Sequence, residues 1–321
     1  MGVSTVSRVL NKRPDVNEDT RGRVMEVIER YGYEPNSNAK HLKQLSTDCV
    51  AVIVRGRNNL FFSGILELLQ KRIEAAGLRF LPHYIDENDD EAAAALRVYA
   101  ERKVRGIIFM GGCHTDNGAM LSRLPIPCVY STVNAAEGYA PNVSSVSVDD
   151  RQGAKKAIDY LFDCGHENMV ILSGETQGCN MAHQRYLGVL DSFKEHGKTL
   201  ESSRVLVSPF SFSCAYERIK EYTGPDYTAI FAMSDTMAIG AARALMDSGK
   251  RVPEDVSVIG YDGIELAQYY HPALATMRQP QQELADRSVE LLLESMDTDC
   301  APKHIQLETE LIQGASVKHI S

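Results

Sequence analysis

Seven cysteines are scattered singly along the 321 residues: Cys49, Cys113, Cys128, Cys164, Cys179, Cys214 and Cys300. No two form a CxxC pair, which argues against a disulfide framework or a zinc site and leaves buried reduced thiols as the expectation. No apolar run approaches the roughly 20 residues needed to span a bilayer. Residues 1–30 carry charges throughout and hold no apolar signal-peptide core, so a cytoplasmic location is expected. The nine histidines lack HExxH or any other paired spacing, and surface or core packing is expected of all of them. GxxxxGK[ST] is absent, as are GxSxG and a GxGxxG after the first strand. An enzyme is therefore not expected, nor are catalytic residues, a metal or a cofactor. The acidic "DENDDEAAAA" reads as a solvated helix start whose acids suit the helix dipole, not as a metal site.

The content is that of an ordinary globular chain: 44% hydrophobic and 24% charged. Its length exceeds what one core organises, which predicts a small piece plus one large or two medium lobes. Charge is uneven. Residues 1–45 hold eight Lys/Arg against six acids, a net of +2, which leaves −11 on the rest. A basic end on an acidic body fits a head that binds a polyanion, and fits a solvated helix pair equally well.

Residues 3–11 read as a short helix with Val6, Val9 and Leu10 on one side. "RPDVNEDT" is a turn, and either Asn17 or Asp19 is placed to cap the next helix. Val24, Val27, Ile28 and Tyr31 then recur at helical spacing until Gly32 and Pro35. From Cys49 the pattern changes. "CVAVIV" is a continuous β-branched run, as in a strand buried on both faces. Strands and helices alternate from there to "VSVIGYD", which predicts right-handed βαβ units and parallel sheets. Roughly ten strands favour two similar lobes over one open sheet. "SVSVDDRQGAKKA" is the natural crossing point. The late helix "QQELADRSVELLLESM" and the last strand "HIQLETELI" are expected to cross back.

Ligands of such sheets bind beyond the carboxyl ends of the strands. Those ends offer Arg55, Phe61, Phe62, Arg185, Ser234, Asp235 and Asp262. Aromatic faces, guanidinium forks and carboxylates suit a hydroxyl-rich small molecule.

The order of motifs resembles the lactose-repressor (LacI/GalR) family of bacterial transcription regulators. "TVSRVLN", "TRGRVMEVIERYGYEPN" and "PNSNAKHL" look like its DNA-binding head and hinge. "NNLFF", "HQRYLGVLDSF" and "FAMSDTMAIGAARALMDSGKRVPEDVSVIGYDGIELAQYYHPALATMRQP" follow its core landmarks. The likeness runs from Val3 to Val317. It implies a two-lobe, periplasmic-binding-protein-like α/β core of two Rossmann-like parallel sheets, behind a helix-turn-helix head (1–34) and a hinge (35–47). The core, 48–321, would divide into lobe one at about 48–148 plus 278–303 and lobe two at about 149–277 plus 304–321. The head is expected to be truncated, because the family's first helix normally precedes Val3, and operator binding by this chain is expected to suffer.

The implied function is repression of transcription by a homodimer, with a tetramer open, on operator DNA. A small effector between the lobes, a sugar by preference, would shift their angle and so order or melt the hinge. By resemblance, Val3, Ser4, Thr5, Ser7 and Arg8 contact DNA, Asn36 and Ala39 lie near the groove, and Leu42 wedges a base step. Arg185 and Asp262 would bind effector hydroxyls, with Phe61 and Phe62 as an aromatic wall and Arg55, Ser234 and Gln279 lining the pocket. Arg185 and Asp262 admit a second reading as a structural ion pair. Ser234 stands where some sugar-binding members have Asn, and Leu60 replaces a common proline. "ELIQGASV" lacks the Arg often seen near the terminal strand. A free periplasmic-type sugar-binding protein would share the fold but would carry a secretion signal and no basic head.

Overall fold

The computed structural model describes residues 5, 6, 9, 17–31, 48–56, 59–86, 89–112, 117–178, 181–298 and 300–320. The chain divides into one unit over Met1–Thr47 and another over Asp48–Ser321.

In the first unit Thr5, Val6 and Val9 are helical, and α1 spans Glu18–Tyr31. Of the two possible caps, Asn17 is the one used: its Oδ1 accepts the Asp19 N–H at 2.9 Å, and its carbonyl accepts that of Arg21. Val9 and Val24 are buried. Val27, read as part of the same apolar stripe, is 53% exposed, so the buried face of α1 is narrower than its periodicity implied. Thr5 is half-buried. Val3, Ser4, Ser7, Arg8, Asn36, Ala39 and Leu42 lie outside the described residues.

The second unit contains two sheets. The first is built from β1 (Cys49–Arg55), β2 (Arg79–Ile85), β3 (Gly106–Met110), β4 (Cys128–Ser131) and β5 (Val143–Val148). Between them run α2 (Leu60–Ala75), α3 (Glu91–Arg102) and the single turn α4 (Gly118–Leu121). The chain then leaves through α5 (Asp150–Asp163) into β6 (Met169–Ser173), α6 (Met181–Glu195), β7 (Val205–Val207) and α7 (Phe212–Lys220). Next come β8 (Ala229–Ala232), α8 (Asp235–Asp247), β9 (Ser257–Asp262), α9 (Glu265–Tyr269) and β10 (Ala275–Arg278). Helix α10 (Gln281–Asp297) returns to pack on α2 and the first sheet. The sheets share one plan: the first runs β11-β5-β4-β3-β1-β2 and the second β12-β10-β9-β8-β6-β7, where β11 is His304–Leu307 and β12 is Glu310–Ile312. Every described strand pair is parallel except β10 with β12. Strands β1, β3, β6 and β8 are buried on both faces, which is why they read as unbroken apolar runs.

The sequence reading placed 304–321 in lobe two as one strand, "HIQLETELI". The structure divides it. β11 pairs with β5 in the first sheet, and β12 pairs with β10 in the second, so the third crossing falls between Leu307 and Glu310. Two short strands separated by two residues have the same alternation as one longer strand, so the pattern could not tell them apart. Arg278, assigned to lobe one, is the last residue of β10 in the second sheet.

Candidate functional site

The carboxyl ends of the second sheet converge on Arg185, which α6 presents with 1% exposure. Its Nε donates to Asp150 Oδ1 at 2.7 Å, and its Nη1 donates to the Met233 carbonyl. Nη1 also lies 3.5 Å from Asp262 Oδ1, and the guanidinium sits 3.7 Å from the centroid of the Tyr261 ring. Arg185 and Asp262 are therefore ion-paired at the carboxyl end of the strands.

Asp262 ends β9 with φ +108°, an unusual conformation for a residue with a side chain, and Gly263 follows at φ +70°. A side chain at Gly263 would collide with the Cβ, Cγ and Cα atoms of Arg278. Such strain costs about 1–3 kcal/mol and collects at functional sites. Gln279, on the second crossing, donates its Nε2–H to Asp262 Oδ1 at 2.8 Å. Burial raises the pKa of Asp262 to about 6, with the Asp150 charge adding to it and the bonds from Arg185 and Gln279 opposing it. Asp150 is likewise raised, by burial against the pull of Arg185. Ser234 caps α8, its Oγ accepting the Met237 N–H at 3.2 Å.

The first sheet carries its own polar cluster. Arg55, at the end of β1, donates to Glu91 Oε2 at 3.1 Å, and the Tyr130 hydroxyl donates to Glu91 Oε1 at 2.6 Å. Glu91 is 1% exposed, which corrects the reading of "DENDDEAAAA" as wholly solvated. Asp90 takes the N-cap there, and this turns Glu91 inward to Arg55. Burial, and then the Glu91 carboxylate, push the Tyr130 pKa upward. Thr132, just past β4, has φ +80°. In this sheet order β4 corresponds to β9, so the two lobes strain equivalent strand ends, at Thr132 and at Asp262. Phe61 and Phe62 are buried at the start of α2, with ring centroids 5.9 Å apart, and belong to the apolar core.

A cavity of about 270 Å³ lies between the lobes. Thr132, Asn134 and, from β11, Gln306 line it from the first, and Asp150, Met181 and Gln184 from the second. Asp150 joins it to the Arg185–Asp262 network. Gln279 lines a larger groove, about 670 Å³, beside α9 and α10. Arg55, Phe61, Phe62, Arg185, Ser234 and Asp262 line neither space directly. The sequence reading missed Asp150, Glu91, Tyr130 and Thr132. Only Asp150 had a usable signal, the acidic pair that follows β5 at the first crossing. Among the described residues no group of three or more His, Cys, Asp or Glu could hold a metal ion, and no helix is long and apolar enough to cross a membrane.

A chain of two like-ordered parallel sheets, joined by three crossings over a polar cleft, has the architecture of a two-lobe ligand-binding protein. Residues 158–317 match the periplasmic binding protein-like domain, and residues 1–36 match the bacterial regulatory proteins of the lacI family. The chain is 33% identical to the HTH-type transcriptional regulator MalR of Clostridium butyricum, over 100% of this chain and 97% of that protein. It is 31% identical to the HTH-type transcriptional repressor PurR of Vibrio vulnificus, over 100% and 96%. A solved structure of the transcriptional regulator CelR in complex with cellobiose matches with TM-score 0.74 at 27% identity, over 98% of this chain and 96% of that one. The chain belongs to the LacI family of bacterial transcriptional regulators.

Proposed function

We propose that the chain is a cytoplasmic repressor that acts as a homodimer on operator DNA and is released or recruited by an uncharged saccharide bound between its lobes. The observation that carries the effector half is the Arg185–Asp150–Asp262–Gln279 network, which reaches the interlobe cavity through Asp150 and the second crossing through Gln279. Both arginines of the candidate site already face carboxylates, Arg55 facing Glu91 and Arg185 facing Asp150 and Asp262. A phosphate would add negative charge to an acidic wall, whereas sugar hydroxyls can donate to these carboxylates and accept from Arg185. The cellobiose in the CelR complex supports the same chemical class.

In this reading Asp262, Arg185 and Gln279 bind hydroxyls. Arg55 and Ser234 support the site from the strand ends, and Phe61 and Phe62 back the lobe-one wall. An effector that prefers one lobe angle shifts the population toward it, and the shift passes through the three crossings to the hinge. Val3, Ser4, Thr5, Ser7 and Arg8 read the operator, while Asn36, Ala39 and Leu42 act at the minor groove.

The test is a gel-shift assay with fragments from the promoter of the chain's own gene and its neighbours, run with and without maltose and cellobiose. The expected result is a specific complex whose affinity changes at least tenfold with one saccharide. A complex that no saccharide alters, but a purine or phosphosugar does, would overturn the effector class.

A further inference from the structure

Asp235 opens α8 and has no exposed surface. An acid at a helix start is usually favoured by the dipole and solvated by water. This one lies under the strand end that carries Asp262. Its Oδ2 accepts the Ile264 N–H at 2.8 Å, and its Oδ1 is buried without a hydrogen-bond partner. A Cβ at Gly260 would collide with Oδ1, so the strand is shaped around the carboxylate. Thr276 Oγ1 accepts the Gly263 N–H at 3.3 Å. One carboxylate and one hydroxyl thus hold both N–H groups of the turn that follows Asp262. That turn has positive φ at two successive residues, Asp262 and Gly263. Among the described residues no cation is ion-paired with Asp235, and burial, then the Asp262 charge, push its pKa well up. A buried acid held at such cost is weak evidence for stability and better evidence for a task.

We propose that Asp235 is a positioning residue for the effector site, holding the Gly263–Ile264 backbone so that Asp262 keeps the conformation that presents its carboxylate. The proposal rests on the reading of Asp262 as an effector ligand. Asp235 itself touches no effector; it acts through the turn.

The test uses the full chain with Asp235→Ala, Asp235→Asn and Thr276→Val. In ligand-free crystal structures, Asp235→Ala is expected to relax φ of Asp262 away from +108° and to break the 2.8 Å contact from Gln279. Asp235→Asn keeps an acceptor for Ile264 and retains both. An unchanged turn in Asp235→Ala overturns the proposal. Calorimetric titration with cellobiose and with maltose supplies the second arm. Asp235→Ala is expected to weaken binding roughly tenfold or more, with rescue to within about threefold in Asp235→Asn. Added to Asp262→Ala, it should weaken binding no further, because the two act as one unit. Additive losses in that cycle overturn the proposal, since Asp235 would then act independently of Asp262. If Asp262→Ala binds as the wild type does, the effector reading fails, and the crystal structures still decide whether Asp235 holds the turn. Should Asp235→Ala not fold, Thr276→Val replaces it with the same expected changes at smaller size. An unmoved turn with wild-type binding in that variant overturns the proposal.

Discussion

Gln279 is bonded twice to Asp262: its backbone N–H reaches the Asp262 carbonyl at 3.1 Å, and its side-chain amide reaches Oδ1 at 2.8 Å. The first bond fixes the second crossing against the end of β9. The second occupies the oxygen that an effector hydroxyl would seek. A ligand hydroxyl at Oδ1 competes with the amide, and the Gln279 side chain stands on a connection between lobes. Gln279→Ala is therefore expected to keep the fold and to shrink the ratio of operator affinities with and without effector by about fivefold or more. Fluorescence anisotropy of labelled operator, titrated with and without saccharide, measures that ratio. An unchanged ratio would sever Gln279 from the coupling.

Asp262 should make effector binding depend on pH. Its carboxyl group accepts hydroxyl hydrogens most strongly when ionised, and burial raises its pKa to about 6. Affinity is expected to fall as pH drops through about 6, and Asp262→Asn should flatten that profile. The stability sign runs the other way. A group whose folded pKa is raised contributes stability that is complete below its unfolded pKa, near 4, and is lost as pH rises through about 6. The melting temperature of Asp262→Asn relative to wild type should accordingly rise between pH 4 and pH 7. A pH-independent difference would mean that Asp262 does not titrate in this window.

Glu91 joins Arg55 to Tyr130 inside lobe one. Glu91→Ala leaves a mostly buried guanidinium and a buried hydroxyl without their shared acceptor, a loss of roughly 2–4 kcal/mol once the partial exposure of Arg55 is allowed for. Tyr130→Phe removes one hydrogen bond and should cost about 1 kcal/mol. Urea unfolding followed by circular dichroism distinguishes the two. Equal and small effects would show that the cluster is held by its apolar surroundings.

Much of this fold is legible in the sequence because buried parallel strands have to be apolar throughout. "CVAVIV", "GIIFM" and "MVILS" cannot be read as anything solvated, and the helices between them force parallel pairing. The third crossing was not legible. Its cue is one polar interruption in "HIQLETELI", and which sheet each half joins depends on contacts distant in sequence. At the site, strand-end logic located Arg185 and Asp262. It could not see that Asp150 would satisfy Arg185, or that Glu91 would turn inward. Both acids open helices, where solvated and buried carboxylates look alike until the facing strand is known. Phe61 and Phe62 illustrate the opposite limit: an aromatic pair after a strand serves a ligand wall or a core equally well, and their burial places them in the core.

The strained turn at Gly263 yields a direct structural test. Gly263→Ala would put a methyl group against the Cβ, Cγ and Cα atoms of Arg278 at φ +70°, and should cost at least about 1–3 kcal/mol. Gly56, also at positive φ but with open space around a Cβ, should lose only the conformational part of that penalty on substitution. Paired thermal melts of the two variants measure the difference. Equal losses would remove the steric argument at Gly263.

The central claim is that an uncharged saccharide binds at the Arg185–Asp262 network. Differential scanning fluorimetry of wild type and Asp262→Ala against maltose, cellobiose, a purine and a phosphosugar tests it most directly. The account predicts that one saccharide, at about a hundred times its Kd, raises the wild-type Tm by roughly 5 °C and leaves Asp262→Ala unmoved. A saccharide shift that survives in Asp262→Ala, or a shift with the purine or phosphosugar alone, would contradict it.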